Sequence, residues 1–240
     1  MSFTTTALLA LVILFVATFV RSALGFGDAL VAMPLLAMFV SVQTATPLVA
    51  FAASTITLVI LAGSWRSVDF RAAWRLILSS LVGIPFGLLL LRVAPEFYVK
   101  LILGVLLIVY GLYNLFAPEL PAVRSEKLAY VFGFVSGVLG GAYNTNGPPM
   151  VIYGTLRRWP PEHFRATLQG SLVLTGLMIL VGHGATGLWT PLVLTLYIYS
   201  LPAILLGVFL GARFNRRIPQ KIFSRIVYGF LVGIGILFLL

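Results

Sequence analysis

Arg21 and Asp28 lie seven positions apart in a stretch that is otherwise apolar, and Asn144-Thr145-Asn146 interrupts an equally apolar stretch in the second half of the chain. A guanidinium presents a planar fork of donors that matches planar or tetrahedral oxyanions. Asn and Thr add uncharged donors for the same oxygens. Bond-making chemistry has far less to work with. There is no Cys, and two His and six acidic residues are the remaining reactive groups in 240. Thiol catalysis and Cys-ligated metals are excluded. No metal, no cofactor and no enzymatic activity are expected, and no ATP-binding motif is present.

The positions around these polar groups break helices. Gly140-Gly141-Ala142-Tyr143-Asn144-Thr145-Asn146-Gly147-Pro148-Pro149 holds three Gly, two Pro and three small polar residues. Gly costs about 1 kcal/mol and Pro about 3 kcal/mol inside a helix, so the helical flanks cannot run through. An earlier stretch echoes it. Gly25-Phe26-Gly27-Asp28 leads to Pro34 as Gly140-Gly141 leads to Pro149, both at an offset of 115. Paired interruptions in two halves point to a transporter's binding site. A half-helix that begins at a break offers free N–H groups and a partial positive charge, which suits an anion. The expected lining is Arg21, Gly25, Gly27, Thr46, Gly140, Gly141, Asn144, Thr145, Asn146, Gly147 and Gln169. Pro148 and Pro149 fit the first turn of the restarted helix, which Thr145 or Asn146 would cap.

Each residue has a plainer reading. Arg21 either binds the anion, snorkels to the interface or pairs with Asp28. Asp28 either neutralises Arg21, carries a proton or caps the following half-helix, with capping preferred. Helix-to-helix hydrogen bonding or capping is preferred for Thr46 and Gln169. Tyr143 and Tyr153 either wall the pocket or simply pack. His183 is expected in an exposed Gly-rich turn.

The elements that must hold these groups are membrane spans. The chain is 60% hydrophobic and 9% charged, with mean hydropathy +1.09, where a soluble domain carries about 25% charged residues. An all-α polytopic membrane protein follows, a single integral domain over 1–240. Each half reads as a short, broken or re-entrant helix pair plus three full transmembrane helices. One repeat covers about 6–117, the other about 127–240, with a linker at 118–126. If each short pair makes a hairpin or two crossings, each half crosses an odd number of times and the halves are inverted. Thirteen of the sixteen Lys and Arg then share one side, Arg92 and Lys100 take the other, and Arg21 stands at membrane depth. That is the positive-inside pattern with both termini outside. The net charge of +10 therefore speaks for topology and not for nucleic acid.

With these residues laid out, the chain resembles the TauE/SafE family of sulfite and organosulfonate exporters over nearly its whole length. The carriers are Gly25-Phe26-Gly27 with Pro34, Gly137 through Gly140-Gly141 to Gly147-Pro148, Val68-Asp69-Phe70-Arg71, and Phe164-Arg165-Ala166-Thr167. Two features depart from the family pattern: Asp28-Ala29 stands where a run of Gly is common, and Asn144-Thr145-Asn146 is unusually polar. The resemblance implies export of a small sulfonate, such as sulfoacetate, or of sulfite across the bacterial inner membrane. The partners implied are the anionic substrate and the lipid bilayer, and a homodimer is compatible with the reading. A passive anion channel and an uptake permease for another small oxyanion are the alternatives.

Overall fold

The computed structural model describes residues 2–64, 70–116, 122–123, 125–215 and 220–240. The side chains of residues 24, 60–64, 70–73, 161–163, 165, 166, 169, 215, 220 and 221 lie outside this description. Several basic residues behind the expected sidedness, Arg66, Arg71, Arg216, Arg217 and Lys221, fall in these gaps.

The described residues form ten α-helices and no strand. They are α1 (Phe3–Leu24), α2 (Asp28–Ala37), α3 (Val42–Ser64), α4 (Phe70–Val93), α5 (Glu96–Phe116), α6 (Leu128–Tyr143), α7 (Gly147–Leu156), α8 (Pro161–Ala185), α9 (Pro191–Asn215) and α10 (Gln220–Leu237). Five of them, α1, α3, α4, α5 and α9, contain stretches long and apolar enough to cross a bilayer. α2 and α7 have ten residues each. At 1.5 Å per residue such a helix covers about 15 Å, half of a hydrocarbon core of about 30 Å. The sequence expectation of two half-length helices after the breaks is met.

Small residues set the close packing, as they must where lipid removes the usual hydrophobic drive between helices. α4 lies on α6 and α9 lies on α1. A methyl group at Gly87 would collide with the Val138 carbonyl oxygen and approach the Ala142 nitrogen to 2.8 Å. A methyl at Gly211 would meet the Phe19 carbonyl oxygen at 2.6 Å and the Ala23 nitrogen at 3.3 Å. Gly83 against Phe134 and Val138 repeats as Gly207 against Phe15 and Phe19. The glycines are 124 positions apart and their partners 119 apart. The crossing of α5 and α10 is reciprocal in the same way. Gly111 faces the Tyr228 carbonyl and Val232, while Gly235 faces the Gly104 carbonyl and Ile108; each matched pair is again 124 apart.

One expected register is corrected. The sequence pairs Gly25 with Gly140, at an offset of 115. The helix ends pair Gly25 with Asn144 instead. α1 and α6 stop at Leu24 and Tyr143, and α2 and α7 start at Asp28 and Gly147, all 119 apart. Gly25 and Asn144 are the two left-handed C-caps, at φ 91° and 56°. Asn is the side chain that best tolerates that region, so the cap in the second half carries no glycine to match by eye.

Candidate functional site

Each break is a left-handed cap followed by a fresh helix start. The Gly25 N–H donates to the Arg21 carbonyl at 2.6 Å, and Gly27, at φ 102°, turns the chain into α2. The Asn144 N–H donates to the Gly140 carbonyl at 2.8 Å, and the Thr145 N–H to the Leu139 carbonyl at 3.2 Å. Asn146 begins α7 without capping it by its side chain. Its amide donates to Thr175 Oγ1 at 2.8 Å, and its carbonyl accepts from Ser136 Oγ at 2.6 Å. These bonds tie the second break to α6 and α8, so its shape is held from outside the break.

The two breaks meet in one cavity of about 100 Å³. A cavity needs only about 10–15 Å³ of such space to hold one water, so this one admits a small anion of several heavy atoms. The first turn of α2, Gly27 to Leu30, and the first turn of α7, with Asn146 to Pro148, both line it. Two helix N-termini thus present their positive ends to the same space. α3 contributes Ser54, Thr57 and Leu58; α8 contributes Leu172, Val173, Gly176 and Leu177.

Arg21 is the cation in this wall, 4% exposed. Its Nη1 donates to the Asp28 carboxylate at 2.8 Å and its Nη2 to Thr57 Oγ1 at 2.7 Å. Its Nε is closed off from the cavity and has no partner among the described residues, so an anion would be met by the outer edge of the guanidinium that Asp28 and Thr57 now hold. Asp28 is not the cap that the sequence suggested. It is the first residue of α2, the N-cap is Gly27, and the carboxylate serves Arg21. The positive end of α2 still favours that carboxylate.

Of the expected residues, Arg21, Gly27, Asn144, Thr145, Asn146 and Gly147 line the cavity, with Asp28. Four others lie outside the lining. Gly25 is a cap outside the lining. Gly140 and Gly141 are packing positions: a methyl at Gly140 would sit 2.6 Å from Ile179 Cδ1, and one at Gly141 2.5 Å from the Ile84 carbonyl oxygen. Thr46 Oγ1 lies 2.9 Å from the Val42 carbonyl of its own helix and 3.1 Å from the Ala142 carbonyl, so its one proton is shared between its own turn and the C-terminal end of α6. The Gln169 side chain lies outside the described residues. His183 is not in an exposed turn. It is fully buried in the last turn of α8, and its Nε2 donates to the Gly141 carbonyl at 3.1 Å. Tyr143 is fully buried and bonds the Val99 carbonyl, so it packs and does not wall the cavity.

Ser54 and Thr57 were missed by the sequence reading. Their signal was three-residue spacing, which puts two hydroxyls on one face of an apolar helix.

Thr46→Val is expected to cost about 1–3 kcal/mol by leaving the Ala142 carbonyl without a donor, read as a lower unfolding midpoint in detergent. Anion affinity should hold, because Thr46 lies outside the cavity. Lost affinity at unchanged stability would return Thr46 to the site.

A family model described as sulfite exporter TauE/SafE matches residues 9–238. The chain is also 24% identical over 227 residues to a protein of Cupriavidus necator named probable sulfite/organosulfonate exporter TauE. That alignment covers 91% of this chain and 88% of the relative. No solved structure matches.

Proposed function

We propose, from the premise that this chain belongs to the TauE/SafE family, that it is a secondary transporter exporting small sulfonates, such as sulfoacetate, or sulfite across a bacterial inner membrane. The observation that carries this reading is the convergence of two helix N-termini and the buried Arg21 on one small cavity. An oxyanion there would be met by α2 amides, by the Gly147 N–H, the one amide donor in a first turn of α7 that continues with Pro148 and Pro149, by Arg21 and by Asn144, whose side chain makes no hydrogen bond among the described residues. Phe26, Leu172 and Leu177 would lie against a short organic tail.

The architecture we infer is a pair of inverted repeats, each with a re-entrant helix pair, and both termini periplasmic. The reciprocal glycine contacts at constant offsets support two structurally equivalent halves. Alternating access would then rock one half against the other around a fixed site. The energy would come from the solute's own gradient, the membrane potential or a coupled ion.

Thermal unfolding of the purified protein against sulfite, sulfoacetate, taurine, sulfate and carboxylates tests the site. A ligand at a hundred times its Kd stabilises by about 2.7 kcal/mol, a clear upward shift. Sulfoacetate or sulfite should shift the midpoint most. A flat response to all the anions would remove the assignment. Counterflow in proteoliposomes separates a transporter from a passive pore, since a pore does not exchange labelled for unlabelled solute against a gradient.

A further inference from the structure

The Arg21–Asp28 pair has no counterpart in the other half. At the offset of 119 set by the helix ends, Arg21 corresponds to Gly140 and Asp28 to Gly147. One break therefore carries a built-in ion pair, and the other carries hydrogen. Both members of the pair are buried, with side chains 5% and 11% exposed, and both line the cavity. The carboxylate already holds one arm of the guanidinium that an incoming anion needs, and Thr57 holds the other.

We propose that Asp28 is a resident counter-anion which the substrate displaces, and that the displaced carboxylate takes up a proton, so that each anion is bound and carried together with one proton. This rests on the anion-site reading above and extends it to the coupling ion.

The argument is one of charge balance. The empty site is neutral, with one cation and one anion in contact. An added oxyanion that takes over the guanidinium leaves two negative groups beside a single cation in a mostly apolar wall. Burying an unpaired carboxylate is costly enough that such a group takes up a proton instead of remaining ionised. No other side chain in the wall can take up a proton. Among the described lining residues from α1, α2, α3, α7, α8 and the second break, Arg21 and Asp28 are the only titratable side chains. Glu96, Lys100 and Tyr110 of α5, Tyr143 of α6, Tyr153 of α7, His183 of α8, Tyr197 and Arg213 of α9, and Arg225 and Tyr228 of α10 all lie outside the lining. The proton comes from bulk water on whichever side the cavity faces and leaves when the anion departs and Arg21 recaptures Asp28. For a monoanion the loaded site then has the same charge as the empty one, so translocation moves no net charge. The membrane potential drops out as a driving force and the pH gradient enters, so outward movement runs down the solute's own gradient and, where the outside is the more acidic, against the proton's.

The sign follows directly. The bound state holds one more proton than the free state, so apparent affinity falls as pH rises. The slope approaches about tenfold per pH unit where the displaced carboxyl is protonated and the paired one is not.

Methanesulfonate is the probe, because it stays ionised at every working pH and any proton taken up belongs to the protein. Titration calorimetry of the whole chain in detergent, in buffers of differing ionisation enthalpy, should give close to one proton taken up per anion bound. Asp28→Asn should abolish the uptake and flatten the pH profile, and Asp28→Glu should retain both. In vesicles, an imposed pH gradient should accumulate methanesulfonate in the wild type. Asp28→Asn should ignore that gradient and respond to an imposed potential. Saturable binding whose heat does not depend on buffer overturns the proton coupling and leaves the anion site standing. Absence of saturable methanesulfonate binding, or binding unchanged in Arg21→Gln, overturns the anion site and the coupling with it. If Asp28→Asn does not fold, the wild-type buffer series decides alone.

Discussion

Arg21→Ala should abolish anion binding and also destabilise the fold. The guanidinium is buried and holds Asp28 and Thr57 at 2.8 and 2.7 Å. Removing one partner of a buried ion pair typically costs about 3–5 kcal/mol, because the other charge is left without compensation. The unfolding midpoint in detergent should fall accordingly. Stability and binding separate in the double variant. Arg21→Gln with Asp28→Asn removes both charges and keeps polar side chains of similar size, so most of the lost stability should return. Anion-induced stabilisation should not return. A double variant that binds sulfoacetate as the wild type does would remove Arg21 from the site, whatever the single variant shows.

Gly87→Leu should be the most disruptive change outside the cavity. A single methyl at this position already collides with the Val138 carbonyl oxygen, which belongs to the backbone of α6 and cannot rotate away. The leucine forces α4 off α6 and carries away the wall against which Gly141 packs. Overpacking commonly costs about 1–3 kcal/mol, and a backbone obstacle places this variant at the upper end or beyond. The expected result is little folded protein on size-exclusion chromatography. Gly229 offers the contrast. It has open space where a Cβ would go, so Gly229→Ala should fold normally and, being in a helix, gain up to about 1 kcal/mol. Equal behaviour of the two variants would show that helix approach at Gly87 is not limiting.

Much of this site was legible from residue types. Arg21 and Asp28 stood out because charge is rare in so apolar a chain, and the second break stood out because Gly, Pro and Asn cluster there. The short length of α2 and α7 was legible too, since a half-length helix is bounded by the same residues that break it. The register of the two breaks was misread for a physical reason. Gly and Asn both satisfy a left-handed cap, so matching letter to letter aligned Gly25 with Gly140 when the equivalent caps are Gly25 and Asn144. Gly140 and Gly141 looked like binding positions because a missing side chain can admit a ligand or a neighbouring helix. Which of the two it admits depends on what stands opposite, here Ile179 and Ile84.

Composition and order alone determined that this is a helical, membrane-embedded chain with two polar interruptions, one of which carries a charge pair. Hydropathy and helix-breaking are local properties, written into each short stretch. Only the folded molecule decided that the two interruptions share a cavity, that Asp28 holds Arg21 instead of capping α2, and that His183 is buried against the end of α6. Those outcomes depend on contacts between residues far apart in the chain, and such contacts follow from how ten helices pack together, which no single stretch encodes.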